Sequence, residues 1–303
     1  MTRAALLLSC SLLIAGCSRE PGSRVMTKGS LGIQVDEAVV PVMTLVVDEF
    51  QREYPDAKVT IRPVEGRAAI ANFVSDSVRV IVTGRELNKE EKNALAAAKI
   101  DYQEFRVALS GVAVIANKAT SRSELRTGEL DSIFAGVKTR WSPRSVIDLA
   151  VNGVNSSTNE VFKNLVLKGK AFALSATPFA SSGDLVEHVR TTPGAVGIVN
   201  LAWLKGVTSE VTVMSLGTPG FQPDSTEPPG KYYSPAQAYL YQGYYPVPAP
   251  VYVYSRDLVS DLATGFISFV SSPPGQKVFL NCGLVPQSQP VRIVQLTSNQ
   301  VLR

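Results

Sequence analysis

The chain has few of the side chains from which most metal and nucleophile sites are built, with three cysteines and one histidine in 303 residues. Cys10 and Cys17 both lie at the extreme N-terminus, in a segment with the form of an export signal. Once that segment is processed, Cys282 has no partner for an intramolecular disulfide and no companion for a cysteine metal site. His188 alone excludes histidine-rich metal sites. A Ser-His-Asp hydrolase would depend on it entirely, and no nucleophile elbow accompanies it; beside Val186 and Val189 it reads as part of a helix surface. Charge of either sign is thin: 30 Lys and Arg face 26 Asp and Glu for a formal +4, with no basic run, so nucleic acid is not an expected partner. The adjacent acids Asp36 and Glu37 would project differently and do not make a glycosidase pair. No cofactor and no enzyme activity are expected. After Cys17 no apolar run is long enough to cross a bilayer.

What is present starts with the signal. Met1-Thr2-Arg3 is a short positive region, Ala4 to Ile14 is mostly apolar, and Leu13-Ile14-Ala15-Gly16-Cys17 closes it with small residues before a cut. The last five residues resemble a bacterial lipobox. That resemblance implies acylation of the Cys17 thiol and a protein held at the membrane of the cell envelope by lipid, facing the periplasm. Residues 1–16 are then the signal peptide. Residues 17–28, polar and broken by Pro21, Gly22 and Gly29 beyond them, are expected to be a flexible tether.

From Ser30 onward, short β-type runs alternate with helical patterns. Strands are expected at 31–35, 58–64, 78–82, 105–116, 147–151, 195–199, 211–216 and 251–254, for their β-branched density and flanking turn residues. Val39, Val42, Met43, Val46 and Phe50 recur at helical spacing, and Leu130, Ile133 and Phe134 do so before Gly136. Such alternation predicts an α/β fold with helices covering sheets. Residues 217–237, rich in Pro and Gly, predict a long surface loop.

Ligands of open α/β sheets sit beyond the carboxyl ends of strands, where helix N-termini present free N–H groups. Three stretches have that form: Gln34-Val35-Asp36-Glu37-Ala38, then Thr83-Gly84-Arg85-Glu86-Leu87, then Asn152 through Glu160 with Ser156, Ser157 and Thr158 at its centre. Each also has a purely structural explanation. Asp36 suits an N-cap, and Ser157-Thr158-Asn159-Glu160 suits a capping box.

The order of these segments resembles the substrate-binding proteins of phosphate ABC transporters. Thr83-Gly84-Arg85-Glu86-Leu87 sits where that family has Ser-Ser-Arg-x-Leu. Asn155-Ser156-Ser157-Thr158 falls on its phosphate-cradling Gly-Ser-Gly-Thr, and Pro193-Gly194-Ala195-Val196-Gly197-Ile198 on a Pro-Gly-Ala-Ile-Gly segment. Glu49 to Val59, Ser110 to Lys118, Gly128 to Trp141 and Tyr245 to Val270 match further family segments, and the details look most like a lipoprotein branch known from Bacteroidetes. The resemblance implies a two-lobed type II periplasmic-binding-protein fold, each lobe a mixed sheet flanked by helices. One lobe would comprise 29–114 and 242–303, the other 115–241, joined by a two-segment hinge.

It also implies a monomer that binds phosphate or a related small anion and delivers it to an ABC permease or other envelope transport complex. The candidate ligand-binding residues are Asp36, Glu37, Thr83, Gly84, Arg85, Asn152, Ser156, Ser157 and Thr158, with Cys17 as lipid site and no metal. The chain departs from the pattern at two places. Asp36-Glu37 replaces a hydroxyl-rich loop, and Asn152 stands where the family has Arg. Two carboxylates repel a bound dianion unless one accepts the proton of a protonated oxyanion. A repurposed fold, acting as an envelope scaffold or sensor with another ligand or none, is the alternative.

Overall fold

The computed structural model describes residues 26–223, 225–257 and 261–288. Cys17, the signal segment and most of the expected tether lie outside the described residues. Met26 and Lys28, at the tether's end, are held against the body: the Met26 carbonyl sits 1.8 Å from where a Cβ on Gly265 would be, and Lys28 pairs with Asp56 at 3.6 Å.

The first elements are β1 (Gly29–Asp36), α1 (Val40–Glu53), β2 (Ala57–Val64), α2 (Gly66–Val74), β3 (Val80–Thr83), α3 (Lys89–Ala97) and β4 (Gln103–Ala116). Next come β5 (Glu124–Arg126), α4 (Thr127–Phe134), β6 (Arg140–Ser142), β7 (Ser145–Val146), β8 (Asp148–Asn152), α5 (Ser157–Leu165), β9 (Thr177–Phe179), α6 (Ser182–Thr191) and β10 (Ala195–Asn200). Last are β11 (Thr212–Val213), β12 (Ser215–Gly217), α7 (Gln237–Tyr241), β13 (Pro248–Ser255), α8 (Leu262–Ser271), α9 (Pro273–Asn281) and β14 (Val285–Pro286). The strands expected from sequence are present except that expected at 211–216, which is broken at Met214 into β11, paired with β4, and β12, paired with β5 in a separate sheet. The pieces that reasoning missed, such as β5 and β9, have two or three residues, too few to show a period.

The principal sheet runs β2-β1-β3-β13-β4-β10-β8-β9. β1 lies parallel between β2 and β3, and β8 lies parallel between β10 and β9. The antiparallel strands β13 and β4 join these two groups. β3 and β10 are buried along their whole length, as expected of strands covered on both faces.

Two main cores form, one on each parallel group, and they give the molecule its two lobes. The first lobe gathers Ile33, Val42, Val46, Phe50, Val253, Phe266 and Phe279, and the second gathers Val114, Phe134, Leu149, Phe162, Leu185 and Ile198. The handover occurs within β4 between Ala108 and Val112, and within β13 between Ala249 and Val251. The β13–β4 register also shifts at Val251/Tyr252. The apolar stripe of α1 does what its spacing predicts: Phe50 is fully buried against Phe266 and Phe269 at 5.3 and 5.2 Å. Gly136, at φ +81°, ends the α4 region.

Candidate functional site

The carboxyl ends of β1, β2 and β3 on the first lobe face the starts of α5 and α6 on the second. Asp36 ends β1 and caps the 3-10 turn Glu37–Val39: its Oδ1 accepts the Ala38 N–H at 3.2 Å. Its Oδ2 accepts the Gly84 N–H at 2.9 Å, and the residue is only 1% exposed. Burial raises its pKa, against the opposing pull of Ser157, the two N–H groups and the Arg85 charge. Glu37 reaches to the other lobe, where Oε1 accepts the Ser182 N–H at 2.8 Å and Oε2 the Ser182 hydroxyl at 2.9 Å. Burial raises its pKa too; Ser182 opposes this, and the charges of Asp36 and Glu65 add to it.

The start of α5 differs from expectation by one residue. Ser156 is the N-cap, accepting the Thr158 N–H at 3.2 Å, so the expected box starting at Ser157 is out of register. Asn159 takes the N3 place and folds back. Its amide nitrogen donates to the Asn152 carbonyl at 2.7 Å and the Gly153 carbonyl at 3.0 Å, and its oxygen accepts the Asn152 N–H at 3.2 Å. Freed from capping, Ser157 turns inward. Ser157 Oγ and Thr158 Oγ1 are buried without a hydrogen bond of normal geometry, although Ser157 lies close enough to Asp36 to help hold its charge. Gly66 explains the closeness: a Cβ there would lie 2.0 Å from Ser157 Oγ and 2.7 Å from Asp36 Oδ2.

The remaining expected residues serve as supports. Thr83 donates to the Arg85 carbonyl at 2.6 Å and closes its own turn. Arg85, 5% exposed, grips Glu91 through two bonds of 2.8 and 2.7 Å, and its Nε lies 3.0 Å from Glu160 Oε2 without hydrogen-bond direction. Burial pulls the guanidinium pKa down, but Glu91 and Glu160 more than offset this and leave it raised. Asn152 donates to the Ile198 carbonyl at 2.8 Å, and its Oδ1 lies 2.8 Å from Ser182 Oγ, where it shares the single hydroxyl proton with Glu37; it positions Ser182 and offers no cation. Arg79, just before β3, pairs with Asp257 and Asp76 and supplies no cation to this cleft.

The structure adds Glu65, Gly66, Asn155, Glu160, Ser182 and Trp203. Asn155 donates to Glu65 at 3.1 Å, the Arg67 N–H to the Asn155 carbonyl at 3.1 Å, and Trp203 Nε1 to the Glu37 carbonyl at 3.0 Å. The rule that located the three named stretches, strand end followed by helix start, also applies to Glu65-Gly66 and to Ser181-Ser182. His188 sits half-buried on α6, with Nε2 3.3 Å from Asp148, away from these groups.

The profile of the PBP superfamily domain matches residues 24–274. The phosphate-binding protein PstS of Bacillus subtilis is 25% identical over 264 residues, covering 85% of this chain and 81% of that one. A Clostridium perfringens protein solved with bound phosphate, described as a phosphate ABC transporter substrate-binding protein, has a TM-score of 0.73 at 21% identity, over 85% of this chain and 99% of that one. An ABC-type phosphate transport receptor from Vibrio cholerae has a TM-score of 0.63 at 17% identity, over 85% of this chain and all of that one.

Proposed function

Since the chain belongs to the PBP superfamily, whose profile spans most of it, we propose that it is a lipid-anchored solute-binding protein of the cell envelope. It takes phosphate or a related small oxyanion between its lobes and delivers it to an ABC permease. The lobes are residues 29–114 with 242–303, and residues 115–241. Cys17 carries the lipid, and the protein works as a monomer facing the periplasm.

One observation carries the ligand class. The Thr158 hydroxyl is buried without a hydrogen bond, and the Ser157 hydroxyl lies against Asp36, at the start of a nine-residue helix opposite the Gly84 and Ala38 N–H groups. A buried donor without a partner is costly, by about 1–3 kcal/mol, unless something completes it. A tetrahedral oxyanion finds donors at this helix start, and a carboxylate at Asp36, which already holds the Gly84 and Ala38 N–H groups, selects one that carries a proton. Sulfate has no proton to donate near neutral pH. The second reading, a scaffold or sensor, is favoured by Asp36 lying on those same N–H groups.

Calorimetry on the delipidated protein separates the two readings. Phosphate should give saturable heat and sulfate none. A flat phosphate titration overturns the oxyanion reading and leaves the scaffold reading. For the anchor, Cys17→Ser should move the protein from the membrane to the soluble envelope fraction, and persistence on membranes in high salt would place the anchor elsewhere.

A further inference from the structure

We infer that the carboxylate of Asp36 is the resident anion of the cleft, and that Glu37 and Glu160, reaching between the lobes, hold them closed with no ligand between them. The donors that a tetrahedral anion would use on the first lobe are already spent. Gly84 N–H and Ala38 N–H both end on Asp36 at 2.9 and 3.2 Å. Gly66 leaves out a side chain where Asp36 Oδ2 and Ser157 Oγ meet, so the seat is filled by groups of the chain itself.

Side chains join the lobes directly. Glu37 on the first lobe holds both the N–H and the hydroxyl of Ser182 at the start of α6. Glu160 on the second lobe lies between Arg85 at 3.0 Å and Arg67 at 3.5 Å. The Glu37–Ser182 hydrogen bonds and the Glu160 ion pairs stand where a bound anion would otherwise bridge the two lobes. Asp36, Glu37, Glu65 and Glu160 also outnumber the arginines Arg67 and Arg85, so an incoming dianion meets net negative charge as well as an occupied seat. Such a protein closes on its own, and any oxyanion competes with a side chain for entry.

The test is solution scattering in phosphate-free buffer, with calorimetry on the same samples. The wild type should have the same radius of gyration with and without inorganic phosphate. Glu37→Gln keeps size but sets an amide donor against the Ser182 donors; together with Glu160→Gln it should expand the molecule. A wild type that is expanded without phosphate and contracts when phosphate is added overturns the inference. Asp36→Ser vacates the seat and frees the Gly84 and Ala38 N–H groups, so the variant should give saturable heat with sulfate where the wild type gives none; a flat sulfate titration in a variant that keeps wild-type circular dichroism also overturns it. The scattering outcome is independent of the oxyanion reading. A wild type that is compact and binds no phosphate sinks only that reading, whereas one that binds phosphate and closes only then sinks only the resident anion.

Discussion

Two adjacent serines divide between them two jobs that the sequence had assigned to one. Ser156 caps α5, whereas Ser157 is the first helical residue and faces Asp36. Ser156→Ala should therefore lower stability by about 1 kcal/mol, the usual value of an N-cap. Ser157→Ala removes a hydroxyl that caps nothing, so its melting temperature should stay near wild type while phosphate affinity falls by about 1–2 kcal/mol. Thermal melts and calorimetry on both variants check this, and a larger melting loss for Ser157→Ala would reverse the assignment. The register was illegible in the sequence because Ser156, Ser157 and Thr158 are all competent caps. Only the fold-back of Asn159 onto Asn152 and Gly153 decides which of them takes the turn.

That fold-back fixes an element junction. The loop from β8 to α5 is pinned by three bonds to the Asn159 side chain, all to buried or half-buried main chain. Asn159→Ala leaves the Asn152 N–H and carbonyl without these partners, and the expected loss is about 1–3 kcal/mol, measurable by denaturant unfolding. An unchanged midpoint would mean that water replaces the side chain without loss. At this scale the sequence was most legible where burial imposes a period. The stripe Val39, Val42, Met43, Val46, Phe50 and the apolar runs of β3 and β10 stand where their patterns placed them. The crevice was half legible. Asp36, Gly84 and Ser157 meet, but the partners that close on them, Glu65, Glu160 and Ser182, come from junctions whose charged or hydroxyl residues look like ordinary caps and solvated acids until the lobes are brought face to face.

At the scale of the whole molecule, the acids of the crevice couple closure to pH. Burial raises the pKa of Asp36 and of Glu37, and Ser157 and Ser182 of the other lobe help to enclose them. Asp36 faces Ser157 and Arg85, and Glu37 faces Ser182, Glu65 and Asp36. An acid with the higher pKa in the closed form binds its proton more tightly there. The cost of closing is therefore full above the raised pKa and is relieved as pH falls toward the ordinary carboxylate range. Glu91 is pushed up by burial but held below its usual range by Arg85 and Asn88; with these partners on its own lobe it does not report on closure. Scattering should show the closed fraction rising as pH falls toward the ordinary carboxylate range; expansion over that interval would contradict the assignment. The path of the chain through β4 and β13 has a separate consequence, for the order of assembly. The core of the first lobe joins Ile33 to Phe279, whereas that of the second is drawn almost wholly from the stretch between Val112 and Ala249. As the chain emerges from its N-terminus, the second lobe has its interior in hand first. The first lobe waits with the bare edge of β3 exposed until β13 arrives, which makes it the slow and aggregation-exposed half of the newborn protein.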